Sequence, residues 1–215
     1  MDEKIDALNE RGEPTGEVVW KSEAHRAGIW HRCFHCWVVG SGSSGPYLIL
    51  QRRAAAKSTW PGKFDVSVAG HLAAGEAPLD GLREIEEELG LKVEPEQLMP
   101  LGIRRIEQEI SQGLDREFHE VFLLRDSTPL SELRLQKEEV ESVLSLELNE
   151  METLRHGETV PVVEWRDGEP FPSRISAADF VPNDDDYFFL VAEAVRRIFE
   201  GKRPGHVFSP TFSGP

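Results

Sequence analysis

The strongest constraint on how this chain folds is the segment AGHLAAGEAPLDGLREIEEELGL. Leu82, Ile85 and Leu89 recur within it at the three- and four-residue spacing that lines one side of a helix. Gly90 follows directly, and glycine commonly ends a helix because it adopts the left-handed conformation without strain. The pattern therefore predicts a helix over residues 79–89 with one apolar side. Apolar segments with the alternation of strands flank it, so this helix is expected to cover a sheet.

The other side of this predicted helix is crowded with carboxylates. Glu84, Glu87 and Glu88 share one side because they are three and four residues apart. Such a repulsive arrangement becomes favourable when a cation lies there, and carboxylate oxygens suit Mg²⁺ or Mn²⁺. Arg83 is placed to pair with Glu87, and Gly70 allows backbone carbonyls to approach closely. The spacing predicts a divalent-metal site, and a solvated acidic helix surface is the alternative.

The charge of the chain restricts its partners. With 24 lysine and arginine residues against 39 aspartate and glutamate residues, the formal net charge is −15. Nucleic-acid binding needs a basic surface, so neither a nucleic-acid nor an anionic-membrane partner is expected. The N-terminal segment MDEKIDALNE lacks the basic and apolar parts of a signal peptide, which predicts a cytoplasmic protein.

The remaining segments predict a mixed α/β protein. DALNERGEPTGEVVWKSEAHR is typical of a strand, a turn and a second extended piece, and IWHRCFHCWVVG of an alternating strand. Cys33 and Cys36 point to opposite faces of that strand, which predicts two buried thiols and no disulfide. An amphipathic helix capped by an aspartate run is expected near the C-terminus. We expect one domain over residues 1–201 and an irregular tail over residues 202–215.

Residues 70–91 also resemble the signature of the Nudix hydrolases, which is G-x5-E-x7-R-E-(aliphatic)-x-E-E-x-G-(aliphatic). Every specified residue is present. The one departure is a missing residue between Glu76 and Arg83, outside the helix. The resemblance implies a Nudix-type α/β/α sandwich with a central mixed sheet, and cleavage of a nucleoside-diphosphate-type linkage with a divalent metal.

Over roughly residues 5–150 the chain is similar to the isopentenyl-diphosphate-isomerase-like branch of this superfamily. The resemblance implies a metal-binding role for four residues: His25, His31, His71 and Glu120. Phe118 stands where the branch has a further glutamate, so this isomerase-type cage is expected to be incomplete. The resemblance also implies that three basic residues hold the diphosphate: Lys21, Arg53 and Lys57.

Hydrolysis and isomerisation are distinguished at position 69. Isomerases carry a catalytic cysteine immediately before the Gly-His pair, whereas this chain has Ala69, which cannot donate or accept a proton. The three glutamates expected to bind metal, Glu84, Glu87 and Glu88, are nevertheless all present. We therefore expect hydrolysis, dependent on Mg²⁺ or Mn²⁺, of a small organic diphosphate to a monophosphate and phosphate. Prenyl diphosphates, such as isopentenyl or dimethylallyl diphosphate, and thiamine diphosphate are the leading candidates.

Two alternatives stay open, a residual isomerase that uses another acid and a non-catalytic diphosphate-binding module. A homodimer is plausible for the superfamily.

Within the expected site, Glu84, Glu87, Glu88 and the Gly70 backbone would hold metal, with Glu87 and Glu88 acting in catalysis. Glu120 is a candidate further ligand or general base, and Glu139 is a second candidate base. Several nearby side chains are expected to be structural or solvated instead: His35, Trp30 and Trp37 in packing, and Arg104 and Arg105 in solvent.

Overall fold

Strands make up most of this computed structural model, which describes residues 2–183, 185–204 and 207–209. The strands are β1 Lys4–Leu8, β2 Pro14–Trp20, β3 His31–Gly42, β4 Gly45–Arg53, β5 Phe64–Asp65, β6 Val68–His71, β7 Leu98–Ile110, β8 Gly113–Arg125, β9 Val140–Glu147, β10 Val160–Arg166 and β11 Glu169–Ile175. The α-helices are α1 Lys21–Ala27, α2 Arg83–Leu89, α3 Leu148–Arg155 and α4 Tyr187–Phe199. Among the described residues, no helix is both long and apolar enough to cross a membrane.

The central sheet is mixed. Its strands follow the order β11-β10-β9-β4-β3-β8-β7, with β5 beside β4 and β6 beside β3. Only β3 and β8 run parallel among the described pairs, and their register places His31 opposite Glu117. In the antiparallel pair of β3 and β6, Phe34 lies opposite Gly70 and Cys33 opposite His71. Because side chains alternate along a strand, these registers decide which residues share a face.

Helices cover both faces of the sheet. Ile85 and Leu89 of α2 are fully buried against the face that carries Phe34, and each such side chain contributes roughly 2 kcal/mol of hydrophobic stabilisation. Helices α3 and α4 pack on the opposite face, around Trp37 and Leu123. The predicted α/β/α sandwich over a mixed sheet is therefore confirmed. Both cysteines are buried and free, on opposite faces, as predicted.

Three local predictions were wrong or incomplete. The second extended piece ends at residue 20. A short helix, α1, follows until Gly28 adopts the left-handed conformation and donates its N–H to the Ala24 carbonyl. The hairpin of β10 and β11 was not predicted, because prolines at positions 161, 170 and 172 interrupt its strand pattern. Finally, Asp186 makes no cap on α4; the side chain of Asn183 accepts the Tyr187 N–H at 3.1 Å instead.

The chain beyond α4 returns to the sheet. Phe208 donates its N–H to the Leu101 carbonyl, and the Ser209 carbonyl accepts from Ile103 at 2.7 Å. The expected irregular tail therefore includes a short segment that pairs with β7. Residues 205–206 and 210–215 of that tail lie outside the described residues, as does residue 184 of the aspartate run. The domain boundary at residue 201 stays a prediction.

Candidate active site

Strand β6 lies between the two groups of candidate residues. Gly70 faces α2, which carries Glu84, Glu87 and Glu88 and is called the glutamate helix below. A Cβ built on Gly70 would overlap the carboxyl group of Glu84. Its neighbours Ala69 and His71 belong to the opposite sheet face, as the register partners of His35 and Cys33. Glycine at position 70 is therefore required for the close approach of helix and strand.

Arg83 organises the exposed end of the glutamate helix. Its guanidinium donates to both oxygens of Glu76 at 2.9 and 3.0 Å, which explains why Glu76 belongs to the motif despite the missing residue. It also donates to Glu84 at 2.6 Å, to the His71 carbonyl at 3.1 Å and, at 3.5 Å, to Glu87. The predicted pairing with Glu87 is present, but the contacts with Glu76 and Glu84 are tighter.

Glu88 is the most deeply buried of the three glutamates. Its carboxylate accepts the Ala69 N–H and the side-chain amide of Gln51, both at 3.2 Å, and it is almost fully buried. Burial, reinforced by the charge of Glu84, raises the pKa of Glu88 to about 8. Burial likewise raises the pKa of Glu84 to about 7. Glu84 and Glu88 therefore ionise only at a cost that a divalent cation would remove.

A group of three histidines and one glutamate, called the histidine cluster below, lies on the other face of the sheet. Ligand atoms of His25, His31, His71 and Glu117 all lie within 4.8 Å of one another. The Nε2 atoms of all three histidines are buried and lack a hydrogen-bond partner. His31 directs Nδ1 at the Ile29 carbonyl at 2.9 Å, so its Nε2 is free to act as a ligand. Unpaired buried nitrogens are costly, and a metal ion would satisfy all three, so these residues fit a metal.

Three of the four groups in this cluster favour the protonation state of a metal ligand; for His31, burial would lower the pKa, but the contact with Glu117 outweighs burial and raises it. Burial lowers the pKa of His25 and brings that of His71 to about 3, which keeps both rings neutral. Burial alone would raise the pKa of Glu117, but the hydrogen bond from His119 and the close approach of His31 and His71 outweigh it and hold that pKa well below its usual range. Neutral imidazole and ionised carboxylate are the ligand forms that a metal requires.

Glu117, rather than the expected Glu120, completes this cluster. The β3–β8 register places Glu120 opposite Phe34, on the face of the glutamate helix, where it lies 3.3 Å from the Nε of Arg32. The prediction that Glu120 joins the three histidines was therefore wrong. Alternation along β8 could have identified Glu117, which lies two residues before His119 and so shares the face that Glu120 does not.

Several residues that sequence reasoning assigned to packing or solvent line the same face. Arg104 is buried, not solvated, and its guanidinium donates to Asp185 at 2.6 and 2.8 Å. His35 directs Nδ1 at the hydroxyl of Tyr187 at 3.1 Å and stacks on His119 with ring centroids 3.8 Å apart. Arg105 is exposed, as expected. Trp30 and Trp37 are buried in the core, which confirms the expectation of packing.

The predicted basic residues are already paired in this structure. Arg53 donates to Asp65 at 2.8 Å, and Lys57 contacts the carboxylate of Glu139. The positive charge of Lys57 also acts on Glu88, so Lys57 links the candidate base Glu139 with the glutamate helix. Lys21, the first residue of α1, lies 2.8 Å from a carboxylate oxygen of Glu3.

One cavity of about 270 Å³ joins these features. Its lining includes two of the predicted basic residues, Arg53 and Lys57, and three residues of the histidine cluster, His25, His71 and Glu117. Ala69 of β6 lines it as well. Trp60, which sequence reasoning did not single out, also lines it and has a positive φ of 51°. Non-glycine residues with such backbone strain cluster at functional sites.

Comparison with known proteins identifies the family. The sequence model of the NUDIX domain matches residues 30–165, which is more than half of the chain. The chain belongs to the Nudix family. It is 34% identical over 182 residues to an uncharacterized Nudix hydrolase of Clostridium acetobutylicum, a match that covers 81% of this chain and 88% of that protein. The prediction of a Nudix hydrolase is therefore confirmed, with pyrophosphohydrolysis as its general activity.

More distant relatives agree with the branch and the fold. The chain is 30% identical over 145 residues to an isopentenyl-diphosphate Delta-isomerase of Aliivibrio fischeri, covering 66% of this Nudix chain and 79% of the isomerase. Among solved structures, it is similar to DR0079 from Deinococcus radiodurans, with a TM-score of 0.54 and 25% identity over 73% of this chain and 91% of that one.

Proposed function

We propose that this Nudix hydrolase cleaves a small organic diphosphate to an organic monophosphate and inorganic phosphate, with Mg²⁺ or Mn²⁺ at the glutamate helix. One observation supports this most strongly. Lys57 contacts Glu139 and acts electrostatically on Glu88, and it lines the same cavity as Arg53. Two candidate diphosphate-binding cations therefore line one cavity, and one of them, Lys57, also contacts the candidate base and acts on a candidate metal ligand.

The reaction needs negative charge to be offset, because water must attack a phosphorus atom surrounded by anionic oxygens. A divalent ion held by Glu84, Glu87 and Glu88, with the Gly70 backbone beside them, would supply that charge and acidify a water. Arg53 and Lys57 would bind the diphosphate oxygens, Arg53 as a fork and Lys57 as a point charge. Lys21 is a less direct contributor, since Glu3 already neutralises it and it does not line the cavity.

Glu139 is the better candidate for the general base. It is partly exposed, and its carboxylate contacts the flexible Lys57, so diphosphate binding to Lys57 would release that carboxylate. Glu120 shares the sheet face of the glutamate helix, but the Nε of Arg32 lies against its carboxylate. Substrate binding would thus both position the diphosphate and free the group that accepts the proton of the attacking water.

The histidine cluster is proposed to hold a second metal. Imidazole ligands favour borderline ions such as Zn²⁺ or Co²⁺, whereas the all-carboxylate helix suits Mg²⁺ or Mn²⁺. Three histidines and one carboxylate, His25, His31, His71 and Glu117, would ligate it. His71 follows Gly70 directly, so a metal there would also stabilise the strand against which Glu84 packs.

The cavity favours a compact substrate. Its volume of about 270 Å³ lies just below the range of roughly 300–1,000 Å³ usual for ligand pockets. Aromatic side chains of Trp60, Tyr187 and Phe188 line it alongside the charged groups. A short prenyl chain or a thiamine ring suits such a space better than a dinucleotide does.

A ³¹P NMR time course with Mg²⁺ tests this function. Isopentenyl diphosphate, dimethylallyl diphosphate, thiamine diphosphate and an ADP-linked diphosphate would be supplied separately. We expect growth of inorganic phosphate and an organic monophosphate from one of the first three. Fastest cleavage of the ADP-linked compound would contradict the proposed substrate class.

Isomerisation is the second candidate, and one observation favours it. Cys33 lines the cavity beside Ala69 and lies against Glu117, and burial raises the pKa of its thiol well above the usual range, so it stays protonated. A protonated thiol in this position could replace the acid that Ala69 lacks. Conversion of isopentenyl to dimethylallyl diphosphate without release of phosphate, and its loss in Cys33→Ser, would establish this alternative.

A further inference from the structure

A continuous line of buried polar groups connects the start of α4 with the histidine cluster. Arg104 of β7 and His119 of β8 are direct cross-strand partners, so both lie on the face that carries Glu117. Both side chains are more than nine-tenths buried. Asp185 reaches Arg104 from outside the segment that matches the family model.

Hydrogen bonds connect Asp185, Arg104, His119 and Glu117 in this order. Arg104 donates twice to Asp185, at 2.6 and 2.8 Å, and directs a third N–H at Nδ1 of His119 at 3.1 Å. Nε2 of His119 lies 2.5 Å from one oxygen of Glu117. The other oxygen of Glu117 faces Nε2 of His31 at 3.4 Å and Nε2 of His71 at 3.3 Å.

Arginine fixes the tautomer of the histidine between these groups. A guanidinium can only donate hydrogen bonds, so Nδ1 of His119 must accept and its proton must be on Nε2. The Nε2–H then donates to Glu117. With the opposite tautomer, His119 would present a lone pair to the carboxylate and a proton to the arginine, and both contacts would become repulsive.

Arg104 is unsuited to bind a substrate anion directly. Asp185 already neutralises its charge with two hydrogen bonds, and the ring of Tyr187 covers its guanidinium with the centroid 4.1 Å from Cζ. Its third hydrogen bond among the described residues is the one with His119. The arginine therefore acts on the site through that histidine.

We propose that Arg104, held by Asp185, fixes the tautomer of His119, so that His119 restrains one oxygen of Glu117 and leaves the other available to a metal ion. Arg104, His119 and Asp185 are positioning residues for the histidine cluster. This inference rests on the metal-binding part of the proposed function. Residues that orient metal ligands in this way typically change metal affinity by about 10–100-fold.

The test measures Co²⁺ affinity, because Co²⁺ favours imidazole and its visible absorption reports on the ligands. Arg104→Met should weaken binding by about 10–100-fold. His119→Leu should do the same, whereas His119→Gln should retain most of the affinity, since a side-chain amide can donate to Glu117 without a tautomer being set. In the His119→Gln background, adding Arg104→Met should then have little further effect.

A spectroscopic readout separates positioning from a merely structural role. Long-range ¹H–¹⁵N NMR of metal-free protein should show His119 protonated on Nε2 in the wild type and on Nδ1, or on a mixture, in Arg104→Met. Asp185→Asn, at a half-exposed position, should shift both readouts in the same direction if Arg104→Met folds poorly. Arg116→Met is the matched control, because it removes the same charge from the opposite face of the same hairpin.

Unchanged Co²⁺ affinity and an unchanged His119 tautomer in Arg104→Met would overturn the inference while leaving the metal site intact. A wild-type protein that binds no Co²⁺ would instead overturn the proposed metal role of the histidine cluster, and this inference with it.

Discussion

Replacing Glu88 by glutamine should stabilise the metal-free protein while abolishing its activity. Glu88 is almost fully buried, and burial raises its pKa from an ordinary value of 4.5 to about 8. At pH 7 the unfolded chain carries this group ionised, whereas the folded chain must keep it protonated. Since 1.36 kcal/mol corresponds to one pKa unit, folding loses about 3 kcal/mol at pH 7.

The effect depends on pH in a defined direction. A raised pKa costs nothing below 4.5, and the cost grows as the pH rises towards 8, where the folded group ionises. Glu88→Gln removes this dependence. At pH 4.5 the difference between variant and wild type should therefore shrink to roughly 0.4 kcal/mol.

Thermal unfolding in EDTA measures this directly. For a chain of this size, 1 kcal/mol shifts the midpoint by about 2–4 °C, so Glu88→Gln should unfold roughly 6–12 °C higher at pH 7. The gain is an upper estimate, because the new amide N–H group must find a partner. Glu86→Gln is the matched control on the same helix, since its side chain is exposed. A lower midpoint for Glu88→Gln at pH 7, or an equal gain at pH 4.5, would refute the reasoning.

Three further outcomes are expected. Gly70→Ala should lower turnover at least about 10-fold, because its Cβ would displace Glu84; unchanged kcat would contradict that packing. Ile85→Ala should lower the free energy of unfolding by about 2–5 kcal/mol in urea, since the side chain is fully buried, and a loss below about 1 kcal/mol would contradict its place in the core. Lys57→Ala should raise KM for the diphosphate at least about 10-fold, because a charge-assisted contact to the diphosphate is lost; an unchanged KM would contradict its role in binding.

Local sequence pattern predicted the glutamate helix and its end but not its start, because Pro78–Leu82 form a 3-10 helix and the α-helix begins at Arg83. The spacing of Ile85 and Leu89 determines which side is buried, Gly90 ends the helix with a positive φ of 72°, and the glutamates follow from the same period. Contacts between neighbours in sequence carry this information. The α/β/α sandwich followed from the alternation of strands and helices together with the resemblance to the family.

The histidine cluster could be predicted only in part. The resemblance to the isomerase-like branch proposed His25, His31 and His71, but Glu117 enters the cluster through the parallel register of β3 and β8. The register between two strands that are distant in the chain cannot be predicted from the sequence of either strand alone. It depends on how the whole sheet assembles.

The burial of Arg104 could not be predicted from the local sequence either. Arg104 stands beside a second arginine, Arg105, and such pairs are typical of solvent, yet the structure buries Arg104 because Asp185 reaches it from 81 residues away in the chain. A charged residue is buried when a partner satisfies it, and a distant partner gives no local signal.

The central claim is that the glutamate helix holds the hydrolytic metal, and the rate of phosphate release by Glu87→Ala tests it most directly. Glu87 is half exposed, so its removal should leave the midpoint of unfolding unchanged. With saturating Mg²⁺ and the best diphosphate substrate, we expect a loss of more than about 100-fold, since even residues that only orient metal ligands cost 10–100-fold. Glu86→Ala, an exposed glutamate one position earlier, should keep the wild-type rate. Wild-type phosphate release by Glu87→Ala would contradict the account.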